Sequence, residues 1–156
     1  MTEFTQPALT PHLVCDGAAD AIAFYARAFG AEEMMRLAGP DGKLMHGAIT
    51  INGALVMLVD EMKDMGALGP NALGGTPVTL HLHVADADAA IDRAAQAGAT
   101  VVMPATDMFW GDRYGQVKDP WGHVWSIAHP LPDGPKTEEE LRKAAEGAMC
   151  GQPGNT

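Results

Sequence analysis

The segments Thr10-Pro11-His12-Leu13 and Thr79-Leu80-His81-Leu82 differ at one position and lie 69 residues apart. The same offset carries Ala21-Ile22 onto Ala90-Ile91 and Gly53 onto Gly122, with no gap over the whole span. Alanine matches carry little weight in an alanine-rich chain. Thr, His, Ile and Gly matches at one fixed offset mark a duplication, which constrains the fold more than any other feature here. The chain divides into a unit over 8–60, a linker loop over 61–76, a second unit over 77–130 and a tail over 131–156.

Each unit shows one order of elements. Residues 9–15 read as a strand broken by Gly17. Over 18–29, Ile22, Tyr25, Ala26 and Phe29 fall at helical spacing on one apolar face, and Gly30 suits the helix end. "EEMMRLA" follows as a strand, with "GPDGK" at 39–43 as a turn. "LMHGAITI" and "ALVMLVDE" are strands joined by Asn52-Gly53, a pair that tolerates the positive φ of a tight hairpin. The second unit repeats the pattern: a strand over 78–85, a helix over 86–97 closed by Gly98, strands over 99–103 and 109–118, the turn "DPWG" and a strand over 123–129. In the tail, Thr137 and Glu140 form a capping box for a short C-terminal helix, and "CGQPGNT" is expected to be disordered.

A formal net charge of −10 without a Lys/Arg cluster argues against a nucleic-acid partner. The longest apolar stretch, "ALVMLV", is too short to cross a bilayer, so no membrane role is expected. "MTEFTQPALTPH" lacks a basic segment followed by an apolar run, so no signal peptide is expected. Two cysteines, Cys15 and Cys150, make a poor disulfide framework and suit free thiols in the cytoplasm.

The predicted fold is α+β. Two βαβββ units pair their sheets into an open, cupped β-barrel with flanking helices, and the cup leaves a cavity between them. The segments "LTPHLVCDGAADAIAFYARAFGAE", "PDGKLMHGAITING", "LGGTPVTLHLHVADADA" and "GDRYGQVKDPWGHVWSIAHP" resemble the vicinal-oxygen-chelate superfamily of glyoxalases, bleomycin-resistance proteins and extradiol dioxygenases, in particular its PhnB-like branch. The resemblance implies a homodimer. It also implies metal ligands drawn from the first and last strands of each unit, which fall on Thr10, Met57, Thr79 and Ser126 in this chain. Neutral hydroxyls and a thioether are poor ligands for zinc or nickel, so the usual divalent metal is not expected, and no cofactor is expected either.

Strand alternation places His12 on the face of Thr10, and His81 and His83 on the face of Thr79. His46 is a candidate to join them from a neighbouring strand. Two readings stay open: a non-standard histidine metal site, or neutral imidazoles lining a polar cavity. The second is favoured. "FWGDRYG" offers Trp110 and Tyr114 as aromatic walls and Arg113 as a cation for an anionic ligand end. The alternative makes Arg113 an ion-pair partner of Asp112 or Asp119 and Trp110 a core residue. Trp121 is expected at an exposed edge or subunit contact, and Trp125 on the helix side. The expected ligand pocket thus comprises Thr10, His12, His46, Met57, Thr79, His81, Trp110, Arg113, Tyr114 and Ser126. The expected function is metal-free binding of a small organic molecule. The alternatives are a lyase-, isomerase- or transferase-type enzyme using a histidine-based metal site or a histidine general base, and an interaction module that uses the 61–76 loop and the C-terminal helix.

Overall fold

The computed structural model describes residues 7–150, the side chain of Cys150 excepted. The expectations for the extreme N-terminus and for the residues after Cys150 therefore lie outside the described residues. The elements are β1 (His12–Cys15), α1 (Ala18–Phe29), β2 (Glu32–Ala38), β3 (Leu44–Ile51), β4 (Ala54–Asp60), a 3-10 turn (Lys63–Met65), α2 (Pro70–Leu73), β5 (Thr79–His83), α3 (Ala87–Ala97), β6 (Thr100–Asp107), β7 (Asp112–Lys118), β8 (Val124–Pro130) and α4 (Glu138–Cys150). They build two four-stranded sheets, ordered β1-β4-β3-β2 and β5-β8-β7-β6, which do not close into a barrel. In each, the first strand runs parallel to the last and the other pairings are antiparallel. This is the paired βαβββ architecture expected from the repeat.

Local chemistry sets the boundaries. Helix α1 is flanked by Gly17 (φ 99°) and Gly30 (φ 68°), both in the left-handed region open to glycine. The buried carboxyl of Asp60 accepts from the Gly17 and Ala18 amides at 2.9 and 3.1 Å, so the last strand of the unit caps its own helix. In the second unit His129 holds the equivalent place and accepts from the Ala87 amide through Nδ1 at 2.8 Å. At α4, Thr137 Oγ1 accepts from the Glu140 amide while the Glu140 carboxylate accepts from Lys136.

The two helices pack on each other, and one apolar core joins both units. Tyr25 and Phe29 of α1 meet Trp125 of β8, whose ring lies 4.8 Å from Phe29 and 5.4 Å from Tyr25. Trp121, expected at an edge, is half-buried with its ring 5.5 Å from Phe24, and its Nε1 donates to the Asp16 carbonyl at 2.8 Å. At the centre of this contact Asp119 is 3% exposed. Its Oδ2 accepts from Tyr25 Oη at 2.6 Å and Trp125 Nε1 at 3.0 Å, and its Oδ1 from the Trp121 and His123 amides. Each unit also bonds to the free edge of the other: Asn52 donates to the His83 carbonyl, and His123 Nε2 meets the Val14 carbonyl at 2.9 Å.

Four details differ from expectation. The offset of 69 holds for β1/β5 and β4/β8, but β3 and β7 correspond at 68. Gly47 pairs with Leu58 and Gly115 with Ile127, so the second hairpin loop holds one residue more. Strand β7 begins at Asp112, not 109, because Phe109–Gly111 form a turn closed by Met108 N–H to Asp112 O at 2.8 Å with Gly111 at φ 103°. Strand β6 runs on to Asp107, past Pro104, which a bulge accommodates between the pairs Met103–Gln116 and Thr106–Tyr114. The 61–76 linker contains the 3-10 turn and α2, held by Gly69 N–H to Glu61 and by Asn71 to the Pro120 carbonyl.

Candidate functional site

Leu13 and Cys15, Leu80 and Leu82, Val117, Trp125 and Ile127 all enter the core under the helices. Alternation sends their strand neighbours to the opposite, helix-free face. On the second sheet the register then fixes rows of side chains: His81 beside Ser126 beside Gln116, and His83 beside Ala128 beside Tyr114. His81 Nδ1 and Ser126 Oγ are 2.6 Å apart, and Gln116 Nε2 donates to Tyr114 Oη at 2.9 Å. The His81 ring lies 6.0 Å from Tyr114 with 19° between planes, and 4.6 Å edge-on from His83. Trp110 stands perpendicular to Tyr114 at 5.4 Å and donates through Nε1 to Asp112 Oδ2 at 3.1 Å. Burial, followed by the neighbouring His83, pushes the His81 imidazole below the ordinary histidine value, against a smaller upward pull from Asp112. That direction favours the neutral imidazole.

The first sheet carries the counterpart row His12–Met57–Ala48, with His46 at the position of Tyr114. The two faces correspond in backbone but not in chemistry: Ser126 and Gln116 are polar where Met57 and Ala48 are not. Thr10 lies half-buried just ahead of β1, and Thr79 opens β5 on the face of His81. A cleft of about 650 Å³ runs along the seam between the units, lined among others by Pro11, Leu55, Thr79, His81 and Trp125. A larger groove of about 790 Å³, between the 109–111 turn and the 131–136 segment, holds none of these histidines.

Of the ten residues expected in a pocket, the structure brings His81, Ser126, Tyr114 and Trp110 together. Arg113 is not among them. As the strand neighbour of Tyr114 it points to the other face, where Nη2 donates to Asp88 and Nη1 to Asp107, both at 2.9 Å. Its ion-pair partners are thus neither Asp112 nor Asp119. Gln116 and Asp112 complete the group. Alternation from Tyr114 would have found both, since residues two apart share a face.

The positions where the resemblance places metal ligands do not suit a divalent ion. Ser126 Oγ is already bonded to His81, and Met57 offers only a thioether. Among the described residues no three His, Cys, Asp or Glu side chains are placed to hold a metal together.

A model of the Glyoxalase/Bleomycin resistance protein/Dioxygenase superfamily matches residues 8–127. Among curated proteins, the uncharacterized protein Mb0911c of Mycobacterium bovis is 51% identical over 145 residues, covering 91% of this chain and 95% of its own length. Among solved structures, a gene product of Arabidopsis thaliana is 26% identical with a TM-score of 0.64, covering 80% of this chain and 99% of the other. The PhnB protein of Bacillus cereus shares the fold at 19% identity and a TM-score of 0.60, covering 79% and 99%.

Proposed function

The chain belongs to the Glyoxalase/Bleomycin resistance protein/Dioxygenase superfamily, and from that premise we propose that it is a cytoplasmic homodimer that binds a small organic molecule on the helix-free face of its sheets, without the superfamily's divalent metal. One observation carries this reading. His81, Ser126, Tyr114, Gln116 and Trp110 converge on one face, with His81 bonded to Ser126, Gln116 to Tyr114 and Trp110 to Asp112, and they are not arranged around a cation. A cluster of aromatic surface with a few placed polar groups is the usual composition of a small-molecule site. The helix-free faces are open in the single chain, with His12, Thr79, His81 and His83 exposed. A second subunit covering them would exclude water from the bound molecule.

Elemental analysis of the purified protein, paired with a calorimetric screen of small aromatic and heterocyclic compounds, tests the proposal. Less than a tenth of an equivalent of metal per chain, together with a ligand whose affinity drops in His81→Ala, is the expected result. One equivalent of metal that disappears in His81→Ala overturns it. A second reading rests on the downward shift of the His81 imidazole, which favours the neutral form that a general base needs. It predicts turnover of the ligand found in the screen, lost in His81→Ala while binding persists.

A further inference from the structure

We propose that the face built by β5, β8 and β7 is specific for a neutral, planar, conjugated carbonyl compound, whose oxygen accepts hydrogen bonds from His81 Nε2–H and Tyr114 O–H. This rests on the preceding reading that the face binds a small molecule, and adds which chemistry it selects.

The proton inventory of the site leads there. Ser126 is 2% exposed, and its only hydrogen-bond partner among the described residues is His81 Nδ1. A buried hydroxyl with one partner that can accept donates to it, because the alternative strands its proton. Nδ1 is therefore the acceptor, and the neutral ring carries its hydrogen on Nε2. Tyr114 Oη is likewise committed as an acceptor, taking the Gln116 amide hydrogen, and its own proton has no acceptor among the described residues. Two neutral donors thus stand in adjacent rows of one face, on rings only 19° from parallel. Neither needs a further protein partner, and both suit a ligand oxygen.

Shape and charge narrow the class. The rings of His81, Tyr114 and Trp110 present flat apolar surface, which favours a planar conjugated body. The charged group beside them is Asp112, an anion, held by Trp110. Arg113 is turned away and paired with Asp88 and Asp107. Lys118, the cation on this face, lies two residues beyond Gln116, at the end away from Asp112. The chain's net charge of −10 adds to the repulsion of anions. A carbonyl dipole gains both hydrogen bonds without meeting that repulsion, whereas a carboxylate does not.

Chromone, naphthalene and chromone-2-carboxylate separate the possibilities: the same flat body with a neutral carbonyl, without one, and with an added anion. Calorimetry on the full chain reads affinity, and infrared difference spectroscopy reads the carbonyl stretch of bound chromone. Chromone should bind more tightly than either comparison compound, with its carbonyl band at lower wavenumber than in a hydrocarbon solvent. Tyr114→Phe keeps the ring and removes the donor. It should weaken chromone about five- to tenfold, the size of one net hydrogen bond, and move the band part of the way back. Asp112→Asn should improve chromone-2-carboxylate relative to chromone. His81→Ala and Gln116→Leu repeat the band measurement should Tyr114→Phe fold poorly. Naphthalene binding as well as chromone, or a band unmoved by these variants, overturns the inference and leaves small-molecule binding standing. Preference for the carboxylate overturns it as well. A face that takes none of the three probes, in a chain for which the compound screen is also blank, sinks both readings.

Discussion

Replacing Tyr25 by Phe tests whether the two units are held together by polar groups in their shared core. Tyr25 Oη is fully buried and donates to Asp119 Oδ2 at 2.6 Å, across 94 residues of sequence. Burial, with Asp119 and Cys15 close by, holds the phenol well above its ordinary value, so the donor proton is present at every working pH. The substitution removes one short hydrogen bond to a carboxyl group. It leaves Asp119 with Trp125 Nε1 at 3.0 Å and two backbone amides. Since the acceptor keeps three partners, the loss should sit near the lower end for bonds to charged groups, about 1.5–2 kcal/mol. For a chain of this length that is a Tm decrease of about 3–8 °C. Asp119→Ala is a different case. It strands the Tyr25 hydroxyl, the Trp125 indole N–H and two amides together, and should cost more than about 4 kcal/mol. Urea unfolding followed by the fluorescence of Trp121 and Trp125, which pack at this contact, measures both. A Tyr25→Phe protein within about 0.5 kcal/mol of wild type, or Asp119→Ala no worse than Tyr25→Phe, would refute the reasoning.

Three further outcomes are expected. By NMR titration His81 should protonate below the ordinary midpoint of 6.5, and His83→Asn should raise its midpoint by removing a neighbouring imidazole. Because the folded value lies below the unfolded one, its contribution to stability is present above about pH 6.5 and is lost as pH falls through the folded value. Gly115→Ala should destabilise by about 1–3 kcal/mol, read by the same unfolding assay: a Cβ there would stand 2.5 Å from Ile91 Cδ1, 2.8 Å from the Met103 carbonyl and 3.0 Å from the Ala105 amide, so the Ile91 side chain would have to turn and the β6 backbone to shift. Cys15, fully buried and with its thiol pushed up to about 12 by burial and then by Asp119, should not react with a disulfide reagent at pH 8 in a Cys150→Ser background until the protein unfolds. Prompt reaction of the folded protein would contradict the packing described for β1.

Much of the site was legible in the sequence. Strand alternation put His81 on the face of Thr79, the family resemblance pointed to Ser126, and the aromatic segment 109–115 pointed to Tyr114. Alternation also separates Arg113 from Tyr114, and placing both in one pocket overlooked it. Gln116 and Asp112 carried no motif; alternation from Tyr114 puts them on its face, and the pairing of β7 with β8, and of β8 with β5, brings Gln116 into the row of His81. The one-residue slip between β3 and β7 was hidden because Gly53 and Gly122 coincide at the offset of 69 while sitting in hairpin loops of different length. Correcting it makes Tyr114, not Gly115, the counterpart of His46.

The sequence by itself determined the duplication, the order of elements within each unit and the limits of α1, because these depend on local signals: helical and strand periodicity, and glycines such as Gly17 and Gly30 that enter the left-handed region without strain. It also determined that Thr10, Met57, Thr79 and Ser126 are poor metal ligands, which is a matter of side-chain chemistry. Only the tertiary structure decided that the two equivalent faces differ in kind. His81 acquires a hydroxyl partner 45 residues away, and His12 faces a thioether in the same place. Burying the Ser126 hydroxyl under the imidazole is what fixes the ring's protons, and that burial exists only once β5 lies beside β8.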